Sequence, residues 1–513
     1  MLKVLFVSST SACLEYESDK AYYAESKFGV TVNGEKYGEF DTNVFSLFNL
    51  NPNTNYVAAI DGTAAKTEFT TSKESCCVDV RSFGAKGDGL SDDTQAIQNA
   101  INCLPKRGRL YFGAGTYCIS PITLKSDITI ELAKDATLLG STDESRYSVL
   151  PGEVIDMHGR KLQFGTWEGD PSPMPTSLVF GAHVSNVNIV GQGVIDGNAQ
   201  NGGWWKNVKT RRIPRPRLVF LNNCSNVNIH GITGQNSASW QFHPYFCKHV
   251  SFYRISVNAP KDSPNTDGLD PESCDYVNII GCVFSVGDDC IALKSGKIYM
   301  GSAYKTPANH HTIRNCLMQF GHGAITLGSE MAGGVKNLTV SHCVFNATDR
   351  GLRIKSRRGR GKDAVIDGVT FEHIEMRSVL TPIVINLWYN CCDRDRFSEY
   401  VWSREKLPVD EKTPRLGKFA FYDMVCLDCH VAAAYCDGLP ELPIEQITLQ
   451  NVRFTYAKNA VAGKPAMRSF MQNMCKAGAY FDNVGKLVIK NVSFDGVEGE
   501  EITVKNVGTF IKE

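Results

Sequence analysis

The chain has 513 residues, 42% of them hydrophobic and 21% charged, with 54 basic residues against 54 acidic ones. That is ample apolar chain for a core, and a charge balance that excludes a general attraction to nucleic acid or other polyanions, so any basic site must be local. No run approaches the roughly 18 apolar residues of a membrane helix, the VLFV near the N-terminus is too short for a secretory core, and 18 cysteines without an export signal lead us to expect a cytoplasmic protein with reduced thiols, or a secreted one if a leader has been removed.

In residues 1–72, short alternating runs (FGVTVNG, NVFSLFNL, NYVAAI, TEFTTS) are separated by Asn-Gly, Asn-Pro and Asp-Gly turns. The spacing predicts a small β-sandwich. LFNLNPNTNYVAAI followed by TEFTTS resembles the end of a fibronectin type III domain. SKESCC (72–77) reads as the linker to a catalytic domain over 78–513. Next, FGAKGDGLSDDTQAIQNAIN predicts a helix capped by Ser91 or Asp92, with Asp92 and Asp93 at its positive end and an apolar stripe of Ala96, Ile97, Ala100 and Ile101.

From about residue 185 the chain repeats. The unit is an apolar residue, two mostly polar ones, then another apolar residue, as in Ile229-His-Gly-Ile232, Phe252-Tyr-Arg-Ile255, Ile279-Ile-Gly-Cys282, Ile313-Arg-Asn-Cys316 and Val340-Ser-His-Cys343. It continues at Phe371-Glu-His-Ile374, Leu449-Gln-Asn-Val452 and Ile489-Lys-Asn-Val492. The first five intervals are 23, 27, 34, 27 and 31 residues. Short strands at such variable spacing fit the stacked coils of a parallel β-helix, in which neighbouring coils bury a continuous core. Leucine-rich repeats would be more regular, and a doubly wound α/β fold would need helices that the pattern does not show. Cys282, Cys316 and Cys343 share one position and read as stacked small apolar side chains. Cys426-Leu-Asp-Cys429-His430 has the spacing of covalent haem attachment, but no export segment accompanies it and no second C-x-x-C completes a zinc site; we read it as coincidence.

The repeat also aligns a second strand in each coil. Cys290-Ile-Ala-Leu-Lys-Ser295 falls on Ala324-Ile-Thr-Leu-Gly-Ser329 and Gly351-Leu-Arg-Ile-Lys-Ser356, with Gly268-Leu-Asp-Pro-Glu-Ser273 before them. Asp267 then stacks on Asp289, Gly323 and Arg350. Asp288 stands in the next column, between Thr266 and His322. Coils lie roughly 4.8 Å apart, so three carboxylates and an imidazole should meet on one outer face, with Arg353 and Lys355 projecting one coil on and Lys294 in the Lys355 column. Such a trio is costly unless it holds a metal or shares protons for catalysis. Crowding raises the proton affinity of one member and supplies a general acid beside ionised neighbours, the division of labour that glycoside hydrolysis needs.

Asn265-Thr266-Asp267, Gly287-Asp288-Asp289, Gly321-His322-Gly323 and Arg353-Ile354-Lys355, in that order and at coil spacing, resemble the four motifs of the family 28 glycoside hydrolases, the polygalacturonase family. The resemblance covers roughly 78–500. It implies an all-β, right-handed parallel β-helix and inverting hydrolysis of α-1,4-galacturonosyl linkages in a pectic polysaccharide or oligogalacturonide, with no cofactor and no metal. By motif, Asp288 would be the general acid, Asp267 and Asp289 would position and deprotonate water, and His322 would support the acid. Arg353 and Lys355 would bind a galacturonate carboxylate, with Asn265 and Lys294 also on the substrate. Tyr389, 34 residues past Lys355, matches by spacing a tyrosine that the family places near the cleavage site. An inverting pair should stand about 6.5–9.5 Å apart. The basic run RIKSRRGRGK (353–362) suits a polyuronate and lacks any nucleic-acid-reading module around it.

Alternatives are a calcium-dependent pectate lyase on the same fold, a hydrolase of another galacturonate-containing glycan such as rhamnogalacturonan, and a non-catalytic β-helix adhesin. Exo action is favoured by the fibronectin-like domain, with insertions near 141–180, 198–217 and 393–443 as candidates to wall off one end of the cleft. Neither a membrane partner nor an oligomeric state is indicated.

Overall fold

The computed structural model describes residues 1–390 and 398–513. Seven N-terminal strands form two antiparallel sheets. One joins Leu2–Val7, Ala12–Tyr16 and Val44–Leu47; the other joins Glu35–Thr42, Tyr23–Val32, Asn55–Ile60 and Lys66–Thr70. They close over a shared apolar core that includes Leu14, Val30, Phe45 and Ala58. Polar contacts fasten this unit to the rest of the chain. The Ser11 and Ser46 hydroxyls lie 3.1 and 2.9 Å from the two ring nitrogens of the buried His230, and Asn43 donates to Asn315 at 3.0 Å.

From Cys77 onward the chain winds into a parallel β-helix with three faces. The first runs through Ser225–His230, Lys248–Tyr253, Asp275–Ile280, Ala308–Arg314 and Val335–Ser341, each paired in parallel with the next. The third carries Val219–Asn222, Phe242–Tyr245, Ile291–Leu293, Ile325–Gly328, Arg350–Lys355 and Thr381–Asn386, linked through Leu269 and Glu272. Inward residues stack on their equivalents one coil away. Ile229, Phe252, Ile279, Ile313, Val340 and Phe371 form one such ladder, all at 0% exposure. Burying an aliphatic or aromatic side chain stabilises by about 1.5–3 kcal/mol, so a one-residue slip, which would turn every inward side chain out, is strongly disfavoured. Cys282, Cys316 and Cys343 lie in this core, and the described cysteines are all free thiols. Cys426 and Cys429 are likewise buried, on one coil strand.

Several expectations need correction. The coils begin at Cys77, well before the repeat becomes legible in the sequence near 185. The earlier strands, such as Gly108–Phe112 and Ile128–Leu132, alternate by twos and hide the longer unit. A whole coil was missed between Phe371 and Leu449: Phe421 stacks between them in Lys418–Cys429. The supposed insertion at 393–443 is therefore largely regular coil from 418 on, and its residues 393–397 lie outside the described ones. The helix spans Thr94–Cys103 and buries Ile97, Ala100 and Ile101. Neither Ser91 nor Asp92 is the N-cap: Asp93 holds that position without a side-chain cap, and Asp92 accepts from the Thr94 N–H at 3.1 Å. Asp93 turns back to accept from the N–H groups of Lys86 and Gly87 at 2.7 and 3.0 Å, so Asp93 by itself clamps the GAKGDG loop. No described helix is long and apolar enough to cross a membrane.

Candidate active site

The third face is the floor of the site, and its register follows from backbone pairing. The Gly268 N–H donates to Asp289 O, the Cys290 N–H to Gly323 O, and the Ala324 N–H to Arg350 O, at 3.0, 2.8 and 2.9 Å. Asp267, Asp289, Gly323 and Arg350 therefore stand in one column. The His322 N–H donates to Asp288 O at 3.0 Å. Gly323 has a steric reason: a Cβ there would sit 2.2 Å from Thr326 Oγ1 and 2.9 Å from Asp289 Oδ1, so a side chain would crowd both.

The Asp267, Asp288 and Asp289 carboxylates each present an oxygen within 4.8 Å of the others. This nearest-oxygen spacing is shorter than the roughly 6.5–9.5 Å between whole carboxyl groups expected of an inverting pair. The cluster is also less exposed than foreseen. Asp289 is 0% and Asp267 4% exposed, and Asp288 alone is half-buried. Loops outside the repeat cover the face.

Their environments differ. Asp289 Oδ1 accepts from Arg353 Nη1 at 2.9 Å and Oδ2 from Lys355 Nζ at 2.7 Å. Burial alone would raise its proton affinity, but Lys355 and Arg353 outweigh burial and hold it ionised well below the usual carboxylate range. Asp267 goes the other way: burial, then the neighbouring Asp270 and Asp288, push it well above that range. Of the expected crowding, the rise in proton affinity thus falls on Asp267, while Asp289 is held ionised. Asp288 Oδ1 accepts the Asp289 N–H at 3.0 Å. His322 Nδ1 lies 2.8 Å from Asp349 Oδ2, and this contact raises the imidazole's proton affinity.

Asp267 and Asp288 line a cavity of about 480 Å³, with Asp289 buried behind them. Asn265, Lys294, His322, Arg353, Lys355 and Tyr389 are on its wall. Asn265 Oδ1 accepts from Arg215 Nη2 at 2.6 Å. Lys294 is not an outward substrate ligand as expected. It is 3% exposed, and Nζ lies 3.1 Å from Glu330, 3.4 Å from Asp270 and 3.8 Å from Asp267. The basic run is also not a surface patch. Arg357, Arg358 and Arg360 are each no more than 4% exposed, and Arg358 is held by both oxygens of Glu441 at 2.7 and 2.9 Å. Of that run, only Arg353 and Lys355 reach the cavity. A larger cavity of about 950 Å³ lies where the N-terminal strands meet the coils, lined by Glu15, Glu17, Asp19 and Lys20 among others, far from this chemistry.

Sequence reasoning missed several wall residues. Trp167 and Trp240 stack at 6.0 Å and 10°, with the Arg217 guanidinium over both rings at 4.8 and 4.4 Å. Met467 arrives from a loop whose backbone carbonyls at Lys464 and Pro465 accept from Arg350. Asp270 and Glu272 were findable, because they occupy the columns of Arg353 and Lys355. Trp167 and Met467 were not, because their segments carry no repeat. A cation could bridge three oxygens at this spacing, but Arg353 and Lys355 already occupy both Asp289 oxygens and supply positive charge.

Chemically, the arrangement offers one accessible carboxyl, a buried carboxylate fixed in its ionised form, and a third carboxyl whose proton affinity burial raises. The family model for glycosyl hydrolases family 28 matches residues 123–396, and one described as rhamnogalacturonase A/epimerase, pectate lyase-like, matches residues 77–143. A probable polygalacturonase of Vitis vinifera is 32% identical over 391 residues, 74% of each chain. Among solved structures, a family 28 exopolygalacturonase of Yersinia enterocolitica aligns over 99% of this chain and 98% of its own (TM-score 0.71, 20% identity). A hyperthermoactive exopolygalacturonase of Thermotoga maritima covers 83% of this chain and 93% of its own (TM-score 0.66, 26% identity).

Proposed function

The chain belongs to glycosyl hydrolase family 28 and is a pectin-degrading glycoside hydrolase, and from that premise we propose that it removes galacturonate units from chain ends by inverting hydrolysis, with Asp288 as the general acid. Asp288 is the carboxyl of the trio that reaches the cavity most openly, so it protonates the glycosidic oxygen as the C1–O bond breaks. A water held against Asp267 and Asp289 attacks C1 and gives up its proton to Asp267. Asp289 orients that water without taking the proton, because Lys355 and Arg353 fix its charge. His322, held by Asp349, stands beside Asp288 as a positioning group. Arg353 and Lys355, with Tyr389 next to them on the wall, meet the uronate carboxylate, which suits a polyanionic substrate in a neutral protein.

The separation of about 5–5.5 Å typical of retaining pairs lies near the observed spacing, yet a covalent route lacks a nucleophile. Asp289 is fully buried with both oxygens taken, and Asp267, at 4% exposure, is nearly as buried.

One observation carries the exo reading. The floor continues past the site through His243 and Tyr245 to Phe220 and Phe180, but these residues are 0–8% exposed. Hairpins from 149–175 and the helix Ile298–Tyr304 roof them, with Met174 and Met300 packed on Phe180, Phe220 and Tyr245. A polysaccharide therefore meets a wall one coil before Asp267 and Asp270. The Thermotoga maritima neighbour, named an exopolygalacturonase, points the same way.

A time course on polygalacturonate, read by mass spectrometry and proton NMR, tests both parts. Exo action gives monomer or dimer from the first time point, and inversion gives the β-anomer first from α-linkages. An early ladder of oligomers refutes exo action. A first-formed α-anomer refutes single displacement.

A further inference from the structure

The floor of the site is covered on its other side as well. Beyond Arg353 the third face continues through Val384 and Tyr435, which are 3% and 1% exposed. The segment 457–476 lies over them, and its Ala466 and Met471 form one apolar cluster with both. Polar contacts fasten the segment down. Arg350 donates through Nε and Nη2 to the carbonyls of Pro465 and Lys464 at 2.8 and 2.5 Å. Asn386 Nδ2 donates to Met467 O at 3.0 Å, and Arg468 Nε to the Tyr435 hydroxyl at 2.9 Å. Gly463 and Met474 exchange backbone hydrogen bonds at 2.9 and 2.8 Å, closing the segment into a strap. The catalytic cavity is thus bounded along the coils by the hairpins from 149–175 at one end and by the strap at the other. A pectic chain whose end abuts the hairpins rises out of the cavity past the strap.

The rim of the strap is built to meet such a chain. Met467, on the cavity wall, is 40% exposed. Phe470, three residues on, is 76% exposed, more than any other described aromatic residue, and its Cα stands within about 10 Å of that of Met467. Its ring meets Trp402 edge-to-face at 5.6 Å and 87°. Its backbone is left-handed, at φ 60°, a conformation that bulky residues seldom adopt and that clusters at ligand-contacting sites. A phenyl ring left in water in this way forgoes the gain of burial until something covers it. The strap is also locally basic in a neutral protein: residues 457–476 include Lys458, Lys464, Arg468 and Lys476 and no acidic residue, with Lys458 and Lys464 exposed. A polyuronate offers both complements, the C–H face of a sugar ring for the phenyl group and carboxylates for the lysines. We propose that Phe470, backed by Trp402, is a substrate-contacting residue outside the cavity. Its ring stacks on a galacturonate unit in the leaving portion of the chain and gives the enzyme its preference for longer oligogalacturonides.

This role rests on the exo-acting hydrolytic reading, so the wild-type time course comes first: absent saturated products, or an early ladder of oligomers, would mean that reading had failed, whatever Phe470 does. Given monomer or dimer from the outset, the test is kcat/KM on oligogalacturonides of increasing length for wild type, Phe470→Ala and Phe470→Tyr. Phe470→Ala should leave the shortest oligomer that wild type cleaves within about twofold of wild type, and lower kcat/KM by about tenfold once the substrate is long enough to reach the ring, the size expected for covering one of its faces. Phe470→Tyr keeps the flat face and should restore the preference for length. Equal losses at every length would mean that the strap itself had changed and not a contact with substrate. No loss at any length would mean that the chain leaves by another path. Either result overturns the proposal, as does a tyrosine variant that behaves like alanine.

Discussion

Replacing Lys355 by methionine isolates the clamp that keeps Asp289 ionised. The side chain is 11% exposed and its partner 0%, so both charges are screened little by solvent. At 2.7 Å and an effective dielectric of about 20, their attraction is about 6 kcal/mol before desolvation. Removing one partner of a buried pair typically costs about 3–5 kcal/mol. Arg353 remains at 2.9 Å, which places Lys355→Met near the lower end, about 3 kcal/mol at pH 7. Because the folded-state affinity of Asp289 for a proton is depressed, its contribution is present above the unfolded carboxylate value of about 3.9 and is lost as pH falls toward the folded one. The penalty of the variant should therefore shrink in acid, where protonation relieves the stranded charge. Urea unfolding followed by circular dichroism at pH 7 and pH 3.5, with Asp289→Asn and the double variant closing the cycle, measures this directly. Equal penalties at both pH values, or additive single effects, would refute the electrostatic account of the clamp.

Three further outcomes follow from the same geometry. Asp288→Asn should lower kcat/KM by about 10²–10⁴-fold, the usual share of a general acid, without a change in the thermal midpoint; a variant retaining full rate would remove Asp288 from the acid role. Asp349→Asn should lower the proton affinity of His322, read by NMR titration of the ring, since the contact with Asp349 is what raises it. The pairing then matters below the folded imidazole value and disappears as pH rises through it, so a substitution that leaves the titration in place would show that Asp349 is not the cause. A chelator should leave hydrolysis intact, since Arg353 and Lys355 provide the positive charge; activity recovered only with calcium, with unsaturated products, would favour elimination.

The sequence by itself determined the repeating architecture and the columns of the site. An inward apolar residue in each coil must stack on its equivalent, because side chains alternate in and out along a strand and a slip would bury the polar set. Counting from Ile279, Ile313 and Val340 was therefore enough to bring Asp267 beside Asp289 and to set Lys294 in the Lys355 column. Burial and partners lay beyond that count. Lys294 shares a column with Lys355, yet it is surrounded by Asp267, Asp270 and Glu330, and the Arg357–Arg360 run turns inward toward partners such as Glu441. The wall of Trp167, Met174 and Met300 comes from segments with no period, and the coil at 418–429 was hidden because its neighbours are spaced irregularly. Only the tertiary structure decided which aspartate is pushed toward its protonated form and which is held ionised. That outcome depends on the sum of burial and charge from several coils and two loops at a few ångströms, whereas a repeat in sequence fixes only the position of each residue along its own coil.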